Sequence, residues 1–290
     1  MSFSRRAFLG AAAAGAAALA ANGGAGLQLC LFSKPLPDLG YDELGRTVKE
    51  LGFAGIDLTV RSKGHVLPDR VTEDLPRAID AFDKHGLRVP MVTTELTSAQ
   101  DATARNILRT ASRLGVTHFK PGYWRYGTGD VTARVKQVGQ DVRGLADLAA
   151  EHRIAMGLHN HSGTYVGEAV WDTWEMIRDL DPRWTGFYYD AGHATVEGGL
   201  GGHEITLRLA LPRLKMVALK DFYWQQEGAQ WKTIWCPIGN GAVDWRAFFG
   251  AIQKADFHGP VSLHMEYPTD NAIASIRHDI EYVKRQLAAV

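Results

Sequence analysis

Apolar and polar positions along this chain alternate between two periods. Short apolar runs, each ending in polar groups, are followed by longer stretches with an apolar residue every three or four positions. The runs predict strands over 27–32, 55–60, 88–93, 118–123, 154–159, 185–190, 216–221 and 261–266. Helical spacing predicts helices over 41–51, 75–85, 102–114, 131–152, 170–180, 205–211, 245–254 and 272–287. Gly52, Gly86 and Gly115 supply C-terminal stops for the first three. Eight strand–helix pairs in about 260 residues match the count and length of a (β/α)8 TIM barrel, an α/β fold. A doubly wound open sheet would carry a Gly-rich first turn, and Ser33-Lys34-Pro35-Leu36 is not one. No linker divides the chain after Gly26, so residues 27–290 read as a single domain. Trp224 to Pro237 reads as a hairpin inserted after the seventh strand, over the face where such barrels keep their chemistry.

The first 26 residues read differently. Ser4-Arg5-Arg6-Ala7-Phe8-Leu9-Gly10 is a twin-arginine pattern, and an Ala-rich apolar run follows to Ala20. Ala18-Leu19-Ala20 fits an A-x-A cleavage site, and the run is short for a membrane span. Residues 1–26 are therefore expected to be a twin-arginine signal peptide and flexible lead, with a periplasmic or exported mature chain lacking a membrane span. The alternative is a buried Ala-rich helix.

Composition narrows the classes. The formal net charge is zero and 46% of the 290 residues are hydrophobic, enough to bury one large core. Balanced charge argues against a general nucleic-acid partner. Cys30 and Cys236 match no zinc spacing and are expected to be free buried thiols, although one bridge is open to them.

Candidate chemistry gathers at the ends of the predicted strands. In Gly157-Leu158-His159-Asn160-His161, strand alternation turns His159 and His161 to one side, which suits a divalent cation or proton transfer. Two hydrogen-bonded histidines beside a loop is the plain alternative. Glu95, Lys120, Asp190, His193, Lys220, Asp221, His264 and Glu266 lie at or near other strand ends, and a barrel brings such ends to one face. A carboxylate from strand six, another from strand eight and the strand-five imidazoles can surround one cation. That gives a candidate metal set of His159, His161, Asp190 and Glu266. Glu266, His159 and His161 are candidate bases, and Lys220 a stabiliser of developing negative charge. Trp124, Arg125, Tyr223 and His193 lie close to the same ends and are candidates for holding a carbohydrate.

At these residues the chain resembles the sugar phosphate isomerase/epimerase superfamily, the xylose isomerase-like barrels, over about Leu27 to Val290. The motifs are His159-Asn160-His161, Tyr189-Asp190-Ala191-Gly192-His193, Leu219-Lys220-Asp221, Glu266-Tyr267 and Pro237-Ile238-Gly239-Asn240-Gly241-Ala242-Val243-Asp244-Trp245. The His-Asn-His element is similar to that of exported members acting on oxidised sugars. The resemblance implies a divalent metal ion (Mn, Zn, Co or Mg) bound by residues of strands five to eight. It also implies a carbohydrate with a carbonyl beside an acidic C–H, and isomerisation or epimerisation by proton abstraction. Two departures stand out. Many epimerases carry Glu where His159 stands, and the strand-seven ligand His of the family is Ala218 here. Elimination from a 3-keto-sugar, a sugar-binding barrel without chemistry, and a metal-dependent hydrolase of endonuclease IV type are the competing expectations. An oligomer is left open.

Overall fold

The computed structural model describes residues 27–290. The expected signal peptide and lead lie outside the described residues. Eight parallel strands close into a barrel: β1 (Gln28–Phe32), β2 (Gly55–Val60), β3 (Arg88–Thr94), β4 (His118–Lys120), β5 (Ala155–His159), β6 (Thr185–Asp190), β7 (Leu214–Leu219) and, after a hairpin, β10 (Pro260–Leu263). Each strand neighbours the next in sequence around the ring, and β10 closes it on β1 through Gln28↔Pro260 to Leu31↔Leu263. Helices α1 (Tyr41–Glu50), α2 (Val71–Lys84), α3 (Ala104–Arg113), α4 (Val131–His152), α5 (Trp171–Ile177), α6 (Ala191–Ala210), α7 (Trp245–Lys254) and α8 (Ala272–Leu287) alternate with them. The (β/α)8 reading of the apolar pattern is thus correct. The hairpin is β8 (Asp221–Glu227) against β9 (Gln230–Cys236), antiparallel, with Phe222 opposite Trp235.

Helix packing against strands makes the core. Leu44 and Val48 of α1, Leu75 and Phe82 of α2, and Phe248, Phe249 and Ile252 of α7 are buried with Leu31, Ile56, Leu58, Val217 and Val261 of the strands. These residues recur at helical and strand periods, so one stripe of each helix meets the outward face of the barrel. Inside the barrel, Met91, Tyr188, Met216 and Ala218 form a separate small cluster. Asp57 is fully buried there and accepts the hydroxyls of Thr93 (2.7 Å), Ser262 (2.8 Å) and Tyr188 (3.2 Å). Cys30 and Cys236 are buried free thiols.

Several boundaries differ from the pattern: α2 starts at Val71, β7 runs two residues earlier than expected, and β10 ends at Leu263 rather than at residue 266. β4 stops at Lys120 because Pro121 has no N–H to continue the ladder. α6 begins at Ala191, far ahead of the predicted start, and is two helical pieces meeting at Gly199 (φ 56°, ψ −147°). Its glycine-rich first part shows no apolar period, and capping by Asp190 starts it instead. α5 is confined to Trp171–Ile177, after a Val170 with φ of 63°. No described helix is long and apolar enough to cross a membrane.

Candidate active site

The C-terminal ends of the barrel strands enclose a cavity walled by Lys34, Lys120, Tyr123, His161, His264 and Glu266, among others. Two buried clamps set its floor. Asn160 donates from Nδ2 to the Asp190 carbonyl (3.0 Å) and accepts the Asp190 amide at Oδ1 (2.8 Å), which ties the end of β5 to that of β6. Asp190 in turn accepts the His193 amide at Oδ1 (2.9 Å), capping α6 and placing the His193 ring one turn above the carboxylate. Gly192 stands between them for a different reason from a turn. A Cβ there would lie 2.5 Å from the Lys220 carbonyl, so only glycine lets α6 approach Lys220 this closely.

His159 and His161 have distinct surroundings. Asp190 Oδ2 can only accept when ionised, so His159 donates to it from Nε2 (3.2 Å) and its Nδ1 accepts the Tyr123 hydroxyl (2.5 Å). Both ring nitrogens are engaged. Burial pushes the His159 imidazole down to about 3, against the pull of Asp190, so it is neutral. His161 uses only Nδ1, whose N–H meets the Ser162 carbonyl at 2.9 Å, and the lone pair is left on Nε2 at the cavity wall. Burial lowers its pKa as well. The His161 ring lies 4.0 Å from that of His193, centroid to centroid.

Lys220 follows β7 and is 5% exposed. Its Nζ donates to Glu266 Oε2 (2.5 Å) and lies 3.6 Å from Asp190 Oδ2 and 3.2 Å from His193 Nε2. Burial alone would discharge it, but the Glu266 and Asp190 carboxylates hold the ammonium above its usual range. Burial likewise opposes charge on the two carboxyls. His193 and Lys220 nevertheless hold Asp190, and Lys220 and His264 hold Glu266, well below the carboxylate range. Lys34 reaches over from the β1 loop to pair with Glu266 Oε1. His264 Nδ1, without a hydrogen-bond partner among the described residues, stands 3.6 Å from Glu266 Oε2. Lys120 Nζ sits 3.3 Å over the Tyr123 ring, where burial and the nearby Arg61 depress its pKa.

His159, His161, Asp190, His193, Lys220 and Glu266 are therefore brought to one site. Trp124, Arg125 and Tyr223 are not. The Trp124 indole is buried and donates to the Thr97 carbonyl (3.2 Å). Arg125 binds the Tyr165 hydroxyl (2.7 Å) and Thr164 (3.2 Å), joining two exposed loops. Tyr223 alternates away from Phe222, and Trp235, the partner of Phe222, reaches inward instead, its ring 4.7 Å from that of His193. Asp221 also faces away. It accepts the amides of Phe222, Gly239, Gly241 and Val243 and the Trp245 indole (2.8 Å), so it organises the loop before α7.

Asp57, Tyr188 and Trp235 were not singled out by sequence reasoning as site residues. Strand alternation would have found Tyr188, two residues before Asp190, and the lone carboxylate in an apolar strand would have marked Asp57. Trp235 depends on hairpin register and carries no such signal.

A divalent ion needs donors converging on one open point. Among the described residues no group of three His, Cys, Asp or Glu side chains does so. The Lys220 ammonium stands between Asp190, His193 and Glu266, and Ala218 offers no donor from β7. The expected set of His159, His161, Asp190 and Glu266 is not assembled: His159 is spent on Tyr123 and Asp190, and Glu266 on two lysines. The residues present do not fit the metal.

Comparison with known proteins agrees with the architecture. The chain is 25% identical over 147 residues to an inosose dehydratase of Bacillus velezensis, an alignment spanning 47% of this chain and about half (48%) of that relative. It superimposes on a 3-keto-D-glucoside 4-epimerase from E. coli with a TM-score of 0.71 at 15% identity, covering 90% of this chain and 100% of the other. A xylose isomerase-like TIM barrel protein from Mycobacterium smegmatis, in complex with magnesium, gives a TM-score of 0.65 at 19% identity, covering 88% and 91%. A family model described as xylose isomerase-like TIM barrel matches residues 46–286, and the chain belongs to that family.

Proposed function

We propose that the chain is an enzyme that relocates a proton on carbon beside a carbonyl group of a sugar or keto-sugar, giving isomerisation or epimerisation. The observation that carries this reading is a free imidazole nitrogen, His161 Nε2, at the cavity wall, with a buried ammonium, Lys220, hydrogen-bonded to the wall residue Glu266 (2.5 Å). A C–H beside a carbonyl is too weakly acidic to ionise usefully in water. A fixed positive charge beside the forming oxyanion lowers that cost, and a neutral imidazole takes the proton. Glu266 is held ionised by its lysines and is a weaker base than its place suggests, so it orients the ammonium. His193 spends Nε2 on Lys220 and Nδ1 on Ser162, so it holds the ammonium in place beside the His161 ring. No step draws on a metal.

Return of the proton to the other face gives an epimer, and return to the neighbouring carbon gives an isomer. Expulsion of a β-oxygen gives elimination. That second reading is favoured by the dehydratase relative and by an imidazole that, once protonated, can serve the leaving oxygen as an acid. Incubation with a panel of 3-keto-glycosides and ketoses in D2O separates the outcomes. Deuterium entering an α position by NMR is expected, and elimination would add an unsaturated ketone absorbing in the ultraviolet. A panel returned without deuterium, epimer or enone would sink the reading. The twin-arginine pattern supports export, with cleavage after Ala20. Mass spectrometry of the exported chain would show Met1 retained if this is wrong.

A further inference from the structure

We infer that the Lys220 ammonium stands in for the divalent cation of the family, so that this site works with a built-in cation and takes no metal. The inference rests on the proton-transfer reading only for the use of that charge. Its structural part rests on four features.

The first is position. Glu266 Oε2 at 2.5 Å, His193 Nε2 at 3.2 Å and Asp190 Oδ2 at 3.6 Å surround Nζ. These are the carboxylate that follows β10, an imidazole of α6 and the carboxylate that ends β6, the donor types a cation would gather. The second is charge. The carboxylates of Asp190 and Glu266 are already matched by the ammoniums of Lys220 and Lys34. A divalent ion added between them would meet the buried Lys220 ammonium head-on, where burial leaves the repulsion weakly screened. The third is volume. Ala218 pairs with Asp190 in register and is fully buried in one cluster with Met91, Tyr188 and Met216. A ligand side chain from β7 has no room without their retreat. The fourth is accommodation of the lysine itself. Gly192 clears its backbone on one side, with a would-be Cβ only 3.0 Å from Lys220 Cγ, and the Trp235 ring lies 5.2 Å from Nζ on the other.

One positive charge at this point can still receive a substrate oxyanion by hydrogen bonding, which is the part of the cation's role that proton abstraction requires. It gives up the ability to chelate two oxygens at once.

The test is metal content and metal-linked stability, read apart from activity. Protein made in medium supplemented with Mn, Co, Zn and Mg is analysed by elemental mass spectrometry, then melted with Mn2+ or with EDTA. The expected result is metal far below one ion per chain and the same melting temperature in both. About one divalent ion per chain, or a melting temperature that rises with Mn2+, overturns the inference. The converse variant, Lys220→Met with Ala218→His and Met216→Ala to make room, is expected to gain Mn2+-dependent melting. If that variant is folded by circular dichroism and gains nothing, Lys220 does not mark a cation position and the inference falls. Should it not fold, the measurements on the unaltered chain still decide. Absence of deuterium exchange would sink the proposed function and leave the metal result standing, so the two failures are distinguishable.

Discussion

His161 differs from His159 in what its ring has left to offer. The first keeps a lone pair at the cavity, while the second spends both nitrogens on Tyr123 and Asp190. His161→Gln should therefore remove about 10²-fold or more of deuterium exchange with little change in melting temperature. Lys220→Met should cost at least about tenfold in kcat, about 1.4 kcal/mol of transition-state stabilisation. An unchanged kcat in the folded fraction of either variant would contradict the assignment. His159 leaves its mark on stability. The unfolded chain protonates it near 6.5, the folded chain only near 3. Between those values the unfolded state binds the extra proton, so this contribution is complete above about pH 6.5 and drains away as pH falls toward 3. His159→Asn should flatten the melting temperature against pH across that window. A slope equal to that of the unaltered chain would show that His159 does not titrate in this way.

Elements meet the site through their ends, and Asp221 shows how. The first residue of β8 gathers four backbone amides and the Trp245 indole, joining the hairpin to the loop that launches α7. Gly241 is needed there because a Cβ would stand 2.1 Å from Asp221 Oδ1. Asp221→Ala orphans every one of those donors, and a loss of about 3 kcal/mol or more in urea denaturation is expected. A variant as stable as the parent would show that water satisfies them. The pairing of strand and helix was legible in the sequence because burial repeats at fixed periods. The first part of α6 was not, since Val196-Glu197-Gly198-Gly199 has no apolar stripe and depends on the Asp190 cap. The gathering of His159, Asp190, Lys220 and Glu266 was legible because a barrel sends all strand ends to one rim. The failure of the four-ligand metal set was not, because it depends on where a long lysine side chain comes to rest. The same limit applies to Trp124 and Tyr223: proximity in sequence to a strand end does not say which way a side chain turns out of a loop or a hairpin.

At the scale of the whole molecule, a closed ring of eight strands is stiff, and the hairpin is the part that leaves it. Barrel strand β7 ends at Leu219 and hairpin strand β8 begins at Asp221, so Lys220 is the single residue between them. Exposed Tyr223, Trp224 and Trp231 lie farther out on the same hairpin. Because the backbone of Lys220 joins the two strands, any shift of the hairpin has a kinetic consequence. A bulky group carried beyond the reacting ring would press on the hairpin's aromatic rings, and the displacement would arrive at the charge proposed to stabilise the oxyanion. Across a series of 3-keto-glycosides that differ only in the size of the aglycone, kcat should vary more than KM. A series in which KM alone responds would mean that the hairpin is a passive wall. Otherwise the far end of the substrate is read through the rate of chemistry at the near end.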